Sequence, residues 1–280
     1  MQELDNIQRF LFESADIRGE IVHLNHSFQA IAKHYPKPVQ KLIGEALLAA
    51  VHLTASIKFE GQLTIQFQST GPLSLLLAKC DHQFNIRAMA RHSDDISQKD
   101  IVESITQGQM VINIEHDKQV KTYQSIVPLT GNSLSQSLEH YFGQSEQIAT
   151  KLWFVADEKS ACGMLLQLMP GLDSEQREEF WQYAIVIGET ITAAELNALG
   201  NEEILHRLYH EKELRLFDSN HIQFKCQCSE QKMKESIKLL GKEDALQLIQ
   251  EQNTIDVSCE FCKTTYQFDA IDVELLFKAP

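Results

Sequence analysis

Two short cysteine pairs near the C-terminal end constrain this chain more than any other feature. Cys226 and Cys228 are one residue apart, and Cys259 and Cys262 follow after a spacer of thirty residues. Two closely spaced thiolates bind a metal ion from one side, and a second pair completes a tetrahedral four-cysteine site. The same spacing allows each pair to oxidise to a local disulfide. The four cysteines therefore predict a zinc site, a redox site, or both.

The alternative is a set of four unrelated buried thiols, because free cysteine often packs as a small hydrophobic residue. The residues beside the thiols are polar and argue against burial in a core: Lys225, Gln227, Ser229, Glu260 and Lys263. A metal-binding knuckle close to the surface fits such flanks better.

The two remaining cysteines are interpreted as structural. Cys80 stands next to Asp81 and His82, which could suggest nucleophilic chemistry, but no other motif assembles around it. Cys162 lies between Ala161 and Gly163 in an apolar segment and is expected in the core.

Charge and hydropathy exclude several classes of partner. The net charge of −14 over 280 residues disfavours non-specific binding to nucleic acids and anionic membranes, which depends on Lys and Arg. No stretch approaches the roughly 20 apolar residues that span a bilayer. The N-terminal residues lack the basic and apolar regions of a secretory signal. We therefore expect a cytoplasmic protein, in which a cysteine cluster is metal-binding or redox-sensing.

Residues 1–171 predict an N-terminal α+β domain with antiparallel sheets and a core helix. The helix begins near Pro36 and Pro38 and keeps a helical apolar spacing to about Lys58, with His52 as a satisfied core histidine. A second helix is expected over 134–142, with Ser133 as its N-cap and Gly143 after its end. Period-two alternation and apolar runs predict strands over 62–68, 73–78, 84–90, 110–114, 121–129, 148–156 and 162–169.

Residues 172–220 differ in character and predict a helical linker. They carry eleven acidic and four basic residues, a net charge of −7. Asp173 and Gln176 resemble a capping box, and a further helix is expected over 201–210. The segment 185–192 is a poor helix interior, since every residue except Gly188 and Glu189 is β-branched. Two interpretations stay open: a structural linker, or a metastable segment that can be released.

Residues 221–280 predict a small C-terminal four-cysteine zinc domain. Ser229 can cap a helix that stops at Gly241, and a second short helix should cover 242–250. Strands over 254–258 and 264–268 flank the second cysteine pair. A module of this size has a small core and is expected to need a metal.

Several motifs together resemble the heat-shock protein 33 family of redox-regulated holdase chaperones. The resemblance spans essentially the whole chain. It is carried by the segments 224–229, 257–262 and 266–268, with support from 205–211 and Gly71-Pro72-Leu73. One departure is that Glu230, Gln231 and Lys232 stand where arginines are expected after Ser229.

The resemblance implies how such a protein works. Cys226, Cys228, Cys259 and Cys262 would bind Zn²⁺ in a reduced, poorly active state. Oxidant and unfolding conditions would then produce the disulfides Cys259–Cys262 and Cys226–Cys228, release zinc and unfold the linker. The product, often a homodimer, holds unfolding client proteins without ATP and is not an enzyme. Amphipathicity adds a hypothesis of our own, a client-binding surface that comprises Phe180, Trp181, Ile185 and Ile187.

Two other functions compete with this interpretation. A zinc-ribbon regulator or nucleic-acid-binding protein would normally be basic, whereas residues 221–280 carry seven lysines and ten acidic residues. A thiol–disulfide oxidoreductase would need an exposed, low-pKa thiol at a helix start, whereas Cys259 and Cys262 lie between two strand-like segments.

Overall fold

The chain divides between Phe224 and Lys225 into two compact units. The computed structural model describes residues 5–117, 122–129, 133–171 and 175–278. Among them, no helix combines the length and the apolar character needed to cross a membrane. The three-part division at 171 and 220 stays a prediction.

The first unit is built from strands and helices that alternate along the chain. Its elements are β1 (Asn6–Phe12), β2 (Ile17–Leu24), α1 (His26–Ala32), α2 (Lys37–Ser56), β3 (Gly61–Gln68), β4 (Leu73–Asp81), β5 (Asn85–His92), α3 (Gln98–Gln107), β6 (Gln109–His116), β7 (Thr122–Val127), α4 (Leu134–Tyr141), a π-helical turn (Phe142–Glu146), β8 (Thr150–Ala156), β9 (Ala161–Leu168), α5 (Glu175–Gly188), α6 (Ala193–Ala198), α7 (Asn201–Tyr209), β10 (Leu214–Leu216), β11 (Asn220–His221) and β12 (Gln223–Phe224). The α+β class and the antiparallel sheets predicted from the sequence are confirmed.

Two sheets organise this unit. The first has the order β10-β1-β2-β9-β8, with β11 also paired to β1, and the second has the order β12-β5-β4-β3-β6-β7. The pairs are antiparallel except that β12 joins β5 in parallel. Hairpin connections explain the consecutive pairs β1–β2, β3–β4, β4–β5, β6–β7 and β8–β9, because strands joined by short turns must run antiparallel. Longer connections bring together β2 with β9 and β3 with β6.

Helix α2 lies at the centre of the larger hydrophobic core of the first unit. Its buried residues pack against both sheets, which agrees with the helical apolar spacing of the sequence. His52 is buried, and its Nδ1 lies 3.0 Å from Oε2 of Glu20 on β2. The prediction of a core histidine is therefore confirmed, but the ring is hydrogen-bonded only through Nδ1, because Nε2 is buried without a partner. At the C-terminal end of α2, Arg9 donates to the carbonyl of Ala55, where a cation also complements the helix dipole.

The first sheet is covered on both faces, which explains why every residue of β9 is buried. Ala161 and Leu165 face the core around α2. Cys162, Met164 and Leu166 face the opposite way, into a second core formed with α5, α6 and α7. The alternation follows from the two-residue period of a strand.

The structure corrects the sequence interpretation at several helices. Gly143 does not end the helix that Ser133 caps, because α4 continues into the π-helical turn and Gln147 adopts the left-handed conformation after it. Helix α3 was not predicted, although Ser97 and Asp100 form a reciprocal capping box at its start. Residues 185–187 continue α5 despite their β-branched side chains, since packing of Ile185 and Ile187 against the second core outweighs weak propensity. Asp173 and its proposed cap lie outside the described residues.

The second unit contains α8 (Glu230–Leu240), α9 (Lys242–Gln252), β13 (Ile255–Ser258), β14 (Thr265–Phe268) and α10 (Ala270–Lys278). The Ser229 hydroxyl accepts from the amide of Lys232 and caps α8, and Gly241 ends it with a φ of +90°. Both were predicted, whereas α10 was not. The buried apolar core is small and comprises Ile237, Ala245, Ile255, Phe268 and Val273.

Candidate metal centre

The second cysteine pair lies in the tight turn between β13 and β14. The amide of Cys259 donates to the carbonyl of Thr264, and the amide of Lys263 donates to the carbonyl of Cys259. Lys263 has a φ of +57°, the left-handed conformation that closes such a turn. This backbone arrangement points both thiols toward the same side.

The first pair lies in the non-helical segment that leads into α8. Lys232, in the first turn of that helix, donates from Nζ to the carbonyl of Gln227 at 2.8 Å and so fixes the residue between the two thiols. The Ser229 cap sets where the helix begins. Together these contacts hold Cys226 and Cys228 opposite the turn of the second pair.

The four thiols predicted from the sequence come together. The sulfur atoms of Cys226, Cys228, Cys259 and Cys262 all lie within 4.8 Å of one another. Sγ of Cys226 is 3.6 Å from Sγ of Cys259, and Sγ of Cys228 is 3.5 Å from Sγ of Cys262. All four are free thiols rather than disulfides.

This donor set fits a metal ion. A tetrahedral site with metal–sulfur bonds of about 2.3 Å separates its sulfur atoms by about 3.8 Å, close to the distances found here. Cys259 is buried and the other three are partly exposed, which agrees with the surface position expected from the polar flanks. The four cysteines could therefore hold one metal ion.

Two hydroxyl groups extend the cluster beyond the residues that the cysteine motif identifies. The Tyr266 hydroxyl lies 3.2 Å from Sγ of Cys228, and Oγ1 of Thr264 lies 3.3 Å from Sγ of Cys262. Thr264 was missed as a site residue; its only sequence signal is a hydroxyl two residues after the last cysteine. Such outer contacts orient the ligands of a metal site.

The electrostatic environment differs between Cys226 and Cys262, one member of each pair. Burial, together with hydrogen bonds that the Cys226 thiol donates to the neighbouring sulfur atoms, raises the pKa of Cys226 to about 12. At Cys262, desolvation is outweighed by hydrogen bonds from Thr264 and from the other thiols, which lower its pKa to about 6. The Thr264 hydroxyl and the neighbouring thiols therefore favour the thiolate form at Cys262.

The residues proposed as a client surface lie in the first unit. Trp181 is buried, and Phe180, Ile185 and Ile187 are half-buried, all packed in the second core. In this structure they therefore contact the rest of their own unit. Their role with clients stays a prediction.

Comparison with known proteins agrees with the architecture. The family model described as Hsp33 protein matches residues 5–269. A protein named 33 kDa chaperonin from Pseudomonas savastanoi pv. phaseolicola is 41% identical over 99% of this chain and 95% of its own length. A protein of the same name from Shewanella sediminis is 41% identical over 98% and 96% of the two chains.

A solved structure extends the likeness to the fold. The crystal structure of the 33 kDa chaperonin from Thermotoga maritima has a TM-score of 0.83 and is 21% identical, with 98% of each chain covered. The homologues are named chaperonins, which gives a chaperone function and not an enzymatic one. From the family match and these relatives, the chain belongs to the Hsp33 family.

Proposed function

We propose that this chain is a redox-regulated, ATP-independent holdase that binds unfolding proteins under oxidative stress. The observation that carries the proposal is the cluster of four free cysteine thiols in a unit with a core of few buried apolar residues. In the reduced state Cys226, Cys228, Cys259 and Cys262 would bind Zn²⁺, which supplies folding free energy to the domain that holds it.

The proposed switch follows from the chemistry of the thiolates. They are both the metal ligands and the species that oxidants attack. Oxidation of two thiols to one disulfide removes half of the ligand set. A unit with so small a core is then expected to lose its fold and release zinc, and the linker 172–220 to unfold in turn.

We propose that oxidation forms Cys259–Cys262 first and Cys226–Cys228 second. The sulfur contacts of 3.6 and 3.5 Å join the two motifs, but every pair lies within 4.8 Å. Under unfolding conditions the unit would open before the first disulfide forms; local pairs then stay close, whereas a bond between motifs must close a loop of about thirty residues. The Cys226–Cys228 ring is very small and should be strained and easily reduced. Disulfide mapping by mass spectrometry that found mainly cross-motif bonds would contradict this order.

The remaining parts of the proposal concern partners and location. Clients would bind through Phe180, Trp181, Ile185 and Ile187 once the linker is released, and the surrounding carboxylates would keep the complex soluble. The oxidised protein would be a homodimer that binds neither nucleic acid nor membrane. Four reduced thiols in one cluster suit a cytoplasmic location, where thiols are kept reduced.

The client surface has a direct test. Replacing Phe180, Trp181, Ile185 and Ile187 together by Gln should abolish holding in the oxidised state, in which the linker is already released. Val186→Gln, on an exposed position of the same helix, is the matched control and should retain it. Equal holding by both variants would remove this surface from the proposal.

One experiment tests the switch as a whole. Zinc release and suppression of aggregation of an unfolded test protein are followed before and after peroxide with mild heat. We expect zinc release and holding activity to rise together, and reduced protein under the same heat to show neither. Zinc retained under oxidation, or equal holding in both states, would end the proposal.

A further inference from the structure

A cysteine and a histidine outside the four-cysteine cluster form a buried pair in the first unit. His23 on β2 and Cys162 on β9 are direct partners in the strand register, and Sγ of Cys162 lies 3.3 Å from Nδ1 of His23. Their relative exposures are 1% for Cys162 and 9% for His23. The strand pairing therefore holds a thiol against an imidazole, the arrangement that activates cysteine nucleophiles when it is accessible.

The cover over this pair comes from the helical segment that follows the sheets. Asn201, the first residue of α7, interacts with the His23 side chain. It is held in place by donation from Nδ2 to Oδ1 of Asn6 at 3.1 Å and to Oε1 of Gln8 at 2.9 Å. Leu196 of α6 packs in the same core as Cys162. Helices α6 and α7 thus separate the pair from solvent.

The polar contact between α7 and the pair is weak. Nε2 of His23 and Oδ1 of Asn201 are both buried, and neither makes a hydrogen bond of ordinary geometry, although the Asn201 side chain interacts with His23 and opposes the larger effect of burial on the His23 pKa. Undocking of the helices would replace this contact with water around the imidazole.

While α6 and α7 are docked, which we call the closed state, the Cys162 thiol is unreactive. Burial raises the pKa of the Cys162 thiol to about 12. Burial also lowers the pKa of His23. At neutral pH both groups are therefore uncharged, and a neutral thiol is not the reactive species toward peroxide.

We propose that Cys162 is a second, latent oxidation site, shielded by α6 and α7 and attacked by peroxide with His23 as its base once those helices undock. This inference rests on the proposed function, because it needs the release of the linker. In the open state water solvates the pair, and His23 can accept the thiol proton and stabilise the thiolate beside it.

The chemical step is a two-electron oxidation of sulfur. The Cys162 thiolate attacks one oxygen of hydrogen peroxide, the O–O bond breaks and an S–O bond forms. Sulfur is oxidised and peroxide is reduced; the leaving hydroxide takes the proton from protonated His23 and becomes water. The product is a sulfenic acid at Cys162.

The product would act on the position of the helices. Cys162 returns to an almost fully buried site when α6 and α7 dock again. A sulfenic acid carries an added polar oxygen into that site, and a buried polar group without partners opposes docking. Oxidation of Cys162 would therefore oppose docking of the helices until a thiol reduces the sulfenic acid.

Cys80 supplies an internal control. It is fully buried, and burial raises its pKa to about 12, as for Cys162. However, its neighbours in the fold are Thr54 of core helix α2 and its own strand, and it belongs to the core around α2. Release of α6 and α7 does not uncover it.

The test is trapping of sulfenic acid with dimedone, read by peptide mass spectrometry on the full chain. With peroxide at room temperature and zinc bound, we expect no label at Cys162. With peroxide and mild heat, we expect label at Cys162 and at least tenfold less at Cys80. Label at Cys162 in the closed state, or equal label at both cysteines, would overturn the proposal.

A second arm separates this inference from the proposed function. Mild urea under reducing conditions opens 175–209, as followed by hydrogen exchange, before a short peroxide pulse. Label at Cys162 there, without linker release under oxidation, would reject the switch but keep the latent site. No label when exchange shows the helices open would reject the latent site alone.

The role of His23 has its own comparison in the urea-opened state. His23→Gln should slow labelling of Cys162 roughly five- to tenfold at pH 7, which corresponds to the loss of about one unit of thiol pKa depression. His140→Gln, at an exposed histidine on α4, should not change it. An unchanged rate in His23→Gln would remove the histidine from the mechanism.

Discussion

Individual backbone contacts decide whether the four-cysteine cluster can form. Cys259 is the buried member, and its amide and carbonyl both take part in the turn that orients the pair. The four cysteines could be predicted because their type and spacing carry the chemistry directly. Tyr266 and Thr264 could not be assigned as contacts, since hydroxyls are common and only the folded hairpin brings them to the sulfur atoms.

Cys259→Ser should weaken zinc binding by about two to three orders of magnitude. Structural zinc contributes about 10–16 kcal/mol through four ligands, so that one ligand accounts for roughly a quarter of it. Competition with a chromogenic chelator measures the affinity. Cys80→Ala removes a thiol of the first unit and should leave the affinity unchanged; equal losses in both variants would argue against the assigned ligand set.

His23 predicts a pH dependence of the first unit. Burial lowers its pKa in the folded state, so the unfolded state binds the proton more tightly. The contribution of this group to stability is therefore complete above the unfolded pKa of about 6.5 and is lost as pH falls below it. One proton accounts for at most about 1.4 kcal/mol per pH unit.

Urea unfolding between pH 7.5 and 5.5 measures this effect. On acidification, His23→Gln should lose less unfolding free energy than the unsubstituted protein. His140→Gln should lose as much as the unsubstituted protein. Parallel pH profiles for all three proteins would show that His23 does not titrate between the folded and unfolded states.

At the scale of elements, periodicity predicted those segments whose burial follows one simple pattern. Helix α2 and strands such as β3 were predicted because one apolar repeat covers each of them. Helix α3 was missed because its residues are largely polar, so that no apolar repeat marks it. The capping box of Ser97 and Asp100 is its one local signal. The predicted end of α4 at Gly143 was wrong. A glycine ends a helix only where the backbone leaves the helical conformation, and here the backbone continues into a π-helical turn.

The C-terminal end of α5 packs closely against neighbouring side chains at Gly188. A Cβ at this position would lie 2.8 Å from Cη2 of Trp153 and 2.9 Å from the Tyr209 hydroxyl. Tyr209 is fully buried, and its hydroxyl donates to the carbonyl of Ala184 at 2.8 Å. The glycine thus allows α5 to pack directly on α7 and β8.

Gly188→Ala should lower the unfolding free energy by about 1–3 kcal/mol, as overpacking does in a core. Hydrogen exchange over 175–209 should accelerate, and under the proposed function peroxide should activate holding at a lower temperature. Gly143→Ala is the matched control, because a Cβ there meets no atom within 4 Å. Unchanged exchange in Gly188→Ala would show that this contact does not hold the helices.

At the scale of the whole molecule, the two units differ in what stabilises them. The first has an extensive buried core around α2 and a second core around α5 to α7, whereas the second unit buries few apolar side chains. Small cores rarely suffice without a metal or a covalent crosslink. The α+β class and a C-terminal module that brings four cysteines together were therefore predictable from pattern and cysteine spacing. The division between the two compact units falls at 224 and 225, a position that depends on tertiary contacts and that no sequence pattern marks.

Removing the metal should unfold one unit and spare the other. With a strong chelator under reducing conditions, we expect residues 225–278 to lose hydrogen-exchange protection while β1–β9 keep theirs. Zinc should restore the protection, and magnesium should not, because it prefers oxygen ligands. Protection in 225–278 that survives chelation would show that the second unit folds without a metal.

The two-sided burial of β9 has a consequence for how the sequence can vary. Ala161 and Leu165 contribute to the core around α2, whereas Met164 and Leu166 contribute to the core that the later helices complete. If the protein works in a docked and a released state, tolerance to substitution should alternate along this strand. A deep mutational scan selected only for oxidised holding would find 164 and 166 permissive and 161 and 165 restrictive. A scan that also selects against holding activity in the reduced state would find positions 161, 164, 165 and 166 all restrictive.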